Sequence, residues 1–404
     1  MDVISQIQEV IEFSVNFLKS INFLIVIMLL IIIYQVMLLL IRDRNYINAL
    51  NAFRDPDILK IEDLNELPLV NIVIPAWKEG SLFEDCLLSI TKLKYPNLKV
   101  IINAGGSEET IRIVKSFEIH ENFIFFEQKS GGKMKAINEC LEYVYEGIVY
   151  SIDADVILTD ETLLRMIYPL TNQNEHVTCG GVKPFKFQQN KSIVKYMLIN
   201  RNTNFRIKFS RVGRVDISGP NSCFKYEVID KIGNFFEDKL FLATDRVRGP
   251  LISSKGFKLY WLTDYRGKIF TYFPDSLKKY ILQEFRWRMN SLTNPYMKKK
   301  AKNYIKFLIS FLISMYLLSS PFFIFFNVNL ALICLILLLS KYLKKLRKIV
   351  FFKRTTNSRF YEKFGLLFFL KLVFFIFIDE ILTVYLGFKL LISRKKQPKI
   401  TIKD

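Results

Sequence analysis

Asp153-Ala154-Asp155 sets two carboxylates two positions apart, directly after the apolar run Val149-Tyr150-Ser151-Ile152. At a strand end such a pair can hold a hard divalent cation, which takes oxygen ligands and bridges phosphates. By itself the tripeptide is better read as two solvated loop aspartates, so its position has to decide. Ser130-Gly131-Gly132-Lys133 precedes a helical pattern. Its glycines let backbone N–H groups approach an anion, a helix N-terminus favours negative charge, and Lys133 adds a point charge. The glycine spacing of a P-loop is absent, and alone the stretch is an ordinary loop. Asp245 follows the apolar Leu240-Phe241-Leu242-Ala243-Thr244. In partly dry surroundings a carboxylate gains proton affinity and can accept a proton from an attacking hydroxyl. A salt bridge to Arg246 or Arg248 is the competing reading, and local sequence leaves the two level. Gln283, Arg286 and Trp287, spaced i, i+3, i+4, share one helix face. Arg286 could pair with a diphosphate and Trp287 stack on a sugar. An interfacial Trp-Arg anchor is the plainer alternative.

These residues need elements to hold them. From Val70 the chain alternates strand-like and helix-like patterns. Strands are expected at 70–75, 100–103, 123–128 and 148–153, with helices at 82–92, 108–117, 133–145 and from Asp160. Such alternation implies right-handed crossovers and an α/β fold with a mainly parallel sheet between helical layers. Ligands in such sheets bind beyond the carboxyl ends of the strands. Glu79, Asn103, Lys133, Asp153 and Asp155 all fall at or just after those ends, which turns the Asp-x-Asp reading toward a cation. Residues 176–275 are less regular and read as mixed α/β. After them, Leu277, Ile281, Phe285 and Met289 oppose the Gln283 face, the pattern of a helix lying at a membrane surface over residues 276–303.

The 404-residue chain is 51% apolar and still 24% charged, because the two kinds of residue are segregated. Ile21 to Ile41 is long enough for the roughly 20 residues of a spanning helix. No small-residue cleavage site follows, so a signal anchor over 1–44 is expected. Phe307 to Ser340 should form two helices broken near Ser319-Ser320-Pro321. Gly365 to Ile392 either spans or dips and returns, and Asp379 and Glu380 near its middle should face other helices or water. The net charge of +20 fits a positive-inside membrane protein better than a nucleic-acid binder. Arg42, Arg44 and the basic run Lys341–Arg354 would then lie in the cytoplasm, with residues 42–303. The tail Arg394-Lys395-Lys396 ends outside if the last segment spans. Five scattered cysteines give no zinc or redox spacing, and two histidines exclude a histidine-rich metal centre.

The ordered set resembles the membrane-bound family 2 glycosyltransferases, in the hyaluronan, chitin and cellulose synthase branch, over about residues 68–290 and the flanking spans. Val70 through Pro75-Ala76-Trp77-Lys78-Glu79 looks like the family's opening strand and Pro-x-x-x-Glu turn. Gly132-Lys133-Met134-Lys135-Ala136-Ile137-Asn138 is similar to its Gly-Lys-x-x-Ala-x-Asn helix start. Asp153-Ala154-Asp155 resembles the metal-binding Asp-x-Asp, and Ser218-Gly219-Pro220 the acceptor-side motif. Asp245 sits where the family carries its catalytic aspartate, and Gln283-x-x-Arg286-Trp287 resembles its Gln-x-x-Arg-Trp signature. Asn103 stands where the family has a nucleotide-contacting aspartate, and Thr244 where an acidic residue precedes the catalytic one.

The resemblance implies a GT-A domain over 45–275, a C-terminal membrane region over 304–404, and inverting transfer from a nucleotide-sugar at the cell membrane. Asp245 would be the general base. Asp155, with Asp153, would hold Mg²⁺ or Mn²⁺. Pro75, Ala76, Glu79, Asn103, Lys133, Asp153, Arg286 and Trp287 would contact the donor, a UDP-sugar before a GDP-sugar. Ser218, Gly219, Pro220, Gln283 and Trp287 would contact a glycan or lipid acceptor. The implied product is a polysaccharide. Single-sugar transfer to a lipid such as a polyprenyl phosphate or glycolipid, and an inactive nucleotide-binding assembly subunit, are the alternatives.

Overall fold

A computed structural model describes residues 3–18, 21–45, 47, 59–129, 132–204, 217–233, 249, 252–257, 259–262, 265–293, 300–322, 328–356 and 364–393. Asp245, Arg246, Arg248, Ser130, Gly131 and the basic tail from Arg394 lie outside them. Helix α1 (Val3–Leu18) leads to α2 (Ile21–Met37), which continues through a π-helical turn, Leu38–Asp43. The alternating region then gives β1 (Val70–Trp77), α3 (Ser81–Thr91), β2 (Leu98–Gly105), α4 (Glu108–Lys115), β3 (Phe123–Gln128), α5 (Lys133–Leu141) and β4 (Ile148–Ile152). Next come β5 (Val156–Ile157), α6 (Asp160–Asn172), β6 (Val177–Cys179), β7 (Val182–Pro184) and α7 (Ser192–Asn204). The α/β region closes with β8 (Asn221–Lys225), α8 (Tyr226–Ile232), β9 (Leu259–Trp261) and β10 (Ile269–Thr271). Four C-terminal helices follow: α9 (Leu277–Thr293), α10 (Lys300–Leu318), α11 (Val328–Thr356) and α12 (Leu366–Ser393).

The main sheet runs β3-β2-β1-β4-β8-β6-β9, and its first four strands are parallel. β8 enters antiparallel to both β4 and β6, so the mainly parallel expectation holds for one half and gives way at β8. Strand alternation divides β1 between two cores. Ile72 and Ile74 join Phe83 and Leu87 of α3 and Met166 of α6, whereas Val73 joins Ile137 of α5 and Phe224 of β8. Helices on both faces follow from this two-sided burial. β5, β10 and β7 form a small second sheet beside the carboxyl edge. Asn221 joins the two sheets, because its side chain accepts from Tyr150 Oη at 2.7 Å and donates to the Gly181 and Gly267 carbonyls at 2.9 and 3.1 Å.

A third core joins Tyr196 and Met197 of α7, Tyr280 of α9, Phe352 of α11 and Leu372 of α12, and so fixes the α/β region on the C-terminal helices. Its polar centre is Asp379, whose carboxylate accepts from Tyr196 Oη at 2.5 Å and Tyr280 Oη at 2.6 Å. Arg288 Nη2 at 2.7 Å and Lys345 Nζ at 3.4 Å complete the set. Glu380 accepts from Ser314 Oγ at 2.6 Å and pairs with Lys341. Both carboxylates therefore face other helices, as expected from their place in an apolar segment.

The helix lengths differ from the expectation in one place. The apolar stretch after Val328 and the basic run Lys341–Arg354 form one continuous helix, with Lys341, Lys345 and Arg347 turned onto the acidic partners Glu380, Asp379 and Asp43. Those cations are packing partners rather than a loop after a span. α12 is a continuous 28-residue helix and does not dip and return. Among the described residues, one helix, Phe23–Asp43, is long and apolar enough to cross a membrane.

Candidate active site

β1 ends in a turn that carries Glu79. Lys78 occupies the left-handed region at φ 58°, a conformation costly for a residue with a Cβ. It is held there because its N–H donates to the Gly105 carbonyl at 2.9 Å. Glu79 N–H donates to Thr110 Oγ1 at 2.7 Å, and Thr110 Oγ1 donates to the Glu79 carbonyl at 2.8 Å. Gly106, at φ +84°, lies under Trp77, and a Cβ there would meet the indole at 2.7 Å. These contacts fix the turn that presents the Glu79 carboxyl.

The Asp-x-Asp pair lies between β4 and β5. Asp153 pairs with Lys133 at the N-terminus of α5, and Thr271 Oγ1 of β10 donates to Asp155 Oδ2 at 3.4 Å. Burial and the neighbouring Asp153 push the Asp155 carboxyl up to about 6. Burial, Asp155 and Asp153 push Glu79 up to about 7. Three carboxylates thus crowd one region with Lys133 as the cation among them, and the charge of Asp153 disfavours ionisation of both Asp155 and Glu79.

Beside them, α7 and α9 meet. The Arg201 guanidinium lies over the Trp287 ring at 4.2 Å and over the Phe273 ring at 4.5 Å. Trp287 is half-buried, Arg286 is exposed on the same helix, and Gln283 Oε1 is buried with no hydrogen-bond partner among the described residues. On the other face Phe285 packs on Tyr385 of α12, with ring centres 5.5 Å apart. Tyr280 and Arg288 reach Asp379, a polar attachment that the apolar spacing of α9 does not reveal.

The structure brings Glu79, Lys133, Asp153 and Asp155 together and sets Arg286 and Trp287 alongside. Pro75, Ala76 and Asn103 are buried within β1 and β2. The Asn103 side chain turns to α5, donating to Glu139 Oε2 and the Ala136 carbonyl. Ser218, Gly219 and Pro220 lead into β8, with Ser218 buried. Thr271, Thr110, Arg201 and Asn221 were not singled out by sequence. Their contacts come from distant segments, and nothing in the neighbouring residues marks them.

Among the described residues, no three His, Cys, Asp or Glu side chains are arranged to hold a metal unaided. The crowded carboxylates suit an ion that binds through one or two of them and takes its remaining ligands from substrate phosphates and water. That is the habit of hard divalent cations such as Mg²⁺. Asp155, with Asp153, would supply that donor set, and the neighbouring thiol, Cys86, is buried and turned to the Asp153 carbonyl at 3.9 Å.

Comparison with known proteins agrees with this geometry. The family described as Glycosyltransferase like family 2 matches residues 68–290. The poly-β-1,6-N-acetyl-D-glucosamine synthase of Staphylococcus aureus strain COL is 28% identical over 116 residues, 28% of this chain and 27% of the synthase. Its namesake from Staphylococcus epidermidis is 29% identical over 100 residues, 24% of each chain. The matched stretch therefore spans about a quarter of the length of these relatives. Among solved structures, the mannosyltransferase PcManGT from Pyrobaculum calidifontis, in complex with GDP-Man and Mn²⁺, aligns with a TM-score of 0.51 at 15% identity. That alignment covers 93% of this chain and 100% of that one, and it supports a GT-A-like fold. With the strand-edge carboxylates on that fold and more than half its length matched to the family, the chain belongs to glycosyltransferase family 2 and is a glycosyltransferase.

Proposed function

We propose that the chain moves a sugar from a nucleotide-sugar to a membrane-associated acceptor, with inversion, in the synthesis of a polysaccharide. The observation that carries this reading is the meeting of Glu79, Lys133, Asp153 and Asp155 at the carboxyl edge of the parallel strands, with Arg286 and Trp287 beside them. Asp245 takes the proton of the acceptor hydroxyl. The freed oxygen attacks the anomeric carbon from the face opposite the diphosphate, that C–O bond breaks, and the nucleoside diphosphate leaves with the electron pair. Bound at Asp155 and Asp153, Mg²⁺ or Mn²⁺ supplies charge to the leaving diphosphate. Lys133 adds a fixed positive charge on the same side, and Trp287 offers a ring for the sugar.

The named synthases among the relatives support a polymer product, and a UDP-sugar is the first donor to test, with a GDP-sugar second. Multi-pass membrane attachment, with the catalytic domain in the cytoplasm, belongs to this proposal and is supported by the long apolar α2 and by exposed apolar side chains on α10 and α12. The N-terminal anchor, the catalytic region and the C-terminal helices then correspond to residues 1–44, 45–275 and 304–404.

The test is nucleotide release from a panel of UDP-, GDP- and other nucleotide-sugars by the full chain in lipid nanodiscs with Mn²⁺ or Mg²⁺, beside Asp245→Asn. Metal-dependent release with one donor, reduced by about 10³-fold or more in the variant, is expected. A variant that turns over like wild type removes Asp245 as the base.

A further inference from the structure

Arg201 was not among the residues singled out by sequence, and its surroundings are unusual for a cation. The side chain projects from α7 into the junction with α9 and the strand end after β10. Its contacts there are the faces of Phe273 and Trp287. Such contacts use the charge of a guanidinium but leave its N–H donors unspent. Among the described residues, no carboxylate oxygen pairs with it.

Arg288, two residues after Arg286 on the neighbouring helix, shows the contrast, because its guanidinium is engaged by Glu284 and Asp379. Burial lowers the proton affinity of Arg201 to about 10, which still leaves it charged at neutral pH. The two carboxylates whose fields support that charge are Glu284 and Asp155. Glu284 is already bonded to Arg288. Asp155 is the carboxylate assigned to the cation, and a short route connects it to Arg201. Thr271 bonds Asp155, and Phe273, two residues on, carries the guanidinium.

We propose that Arg201 is a donor-binding residue. Held against Phe273 and Trp287, it offers its N–H donors to the diphosphate of the nucleotide-sugar, on the side of the site where Asp155 lies. This rests on the reading of the donor as a nucleoside diphosphate sugar. A planar fork matches two phosphate oxygens at once, which a point charge does not. The ring contacts hold the fork in place before the ligand arrives, which limits the ordering cost of binding. Arg286, exposed and close enough for its charge to oppose that of Arg201, supplies a second cation at the same place. A half-buried cation whose N–H donors have no partner among the described residues, beside a second cation, is relieved by an arriving polyanion.

The experiment is titration of the full chain in lipid nanodiscs with UDP and with GDP, each in the presence of Mn²⁺, and with the corresponding monophosphates. Wild type, Arg201→Gln and Arg201→Lys are compared, with a thermal melt for each. The expected result is about a 10- to 100-fold loss of diphosphate affinity in Arg201→Gln, a smaller loss in Arg201→Lys, and much less change for the monophosphates. Variants that melt like wild type and bind the diphosphates equally well overturn the role of Arg201 and leave the transferase reading intact. Wild type that binds neither diphosphate with Mn²⁺ overturns the donor reading itself and this assignment with it. Where Arg201→Gln melts early, Arg201→Lys decides, because it keeps the charge while losing the fork. Equal losses for mono- and diphosphate would assign Arg201 to packing alone.

Discussion

Glu79 and Asp155 hold protons in the range where the enzyme would work, at about 7 and about 6. A divalent cation binds the ionised oxygens, so its arrival expels those protons. Apparent Mn²⁺ affinity should therefore rise as pH increases from about 5.5 to about 8, and level off once both groups are ionised. Glu79→Gln removes the group that titrates at the higher pH, so the rise should be complete at lower pH. Mn²⁺ titration followed by electron paramagnetic resonance reads both curves, and a flat wild-type profile would contradict the assignment of Asp155. The carboxylates were legible in the sequence because their chemistry is carried by residue type next to a recognisable strand. Thr271 and Arg201 were not, since a threonine in a short strand and an arginine in a helix take their meaning only from what folds against them.

The elements that hold the site were legible by period. Alternation along β1 and the apolar spacing of α3, α5 and α6 mark a helix-covered sheet, and their observed bounds fall close to the expected ones. β8 was harder to place, because a strand of five residues does not state whether it runs with or against its neighbours. The two-sided pattern of α9 was visible, but its attachment through Tyr280 and Arg288 was not, because both reach a carboxylate on another helix far along the chain. That attachment can be tested at its acceptor. Asp379→Asn keeps the shape and removes the charge, leaving Arg288 and Lys345 poorly compensated in a buried setting. The expected cost is about 3 kcal/mol, as for breaking one side of a buried ion pair. A melt in nanodiscs should show it as a clear fall in midpoint. An unchanged midpoint would mean that the third core holds α9 without its polar centre.

At the scale of the molecule, the strong positive charge resolves into separate jobs. Lys341, Lys345 and Arg347 answer acidic groups between helices, and Arg286 and Lys133 stand at the site. The sequence marked the basic run Lys341–Arg354 as a topological signal, which it is only in part, because a charge count does not reveal which of its cations face inward. The third core makes one mechanical unit of α7, α9, α11 and α12, with Asp379 near the middle of α12 as its fastening. If α12 lies in the bilayer, its tilt answers to acyl-chain length, since a helix longer than the local hydrocarbon thickness leans over. Whatever tilts α12 also pulls on α9 through Asp379, and α9 carries Trp287 beside Arg201. Reconstitution into phospholipids of graded chain length should therefore change turnover by roughly two- to fivefold, with an optimum rather than a steady trend. In Asp379→Asn that optimum should flatten, which would make this carboxylate the point through which the thickness of the membrane reaches the sugar-transfer site.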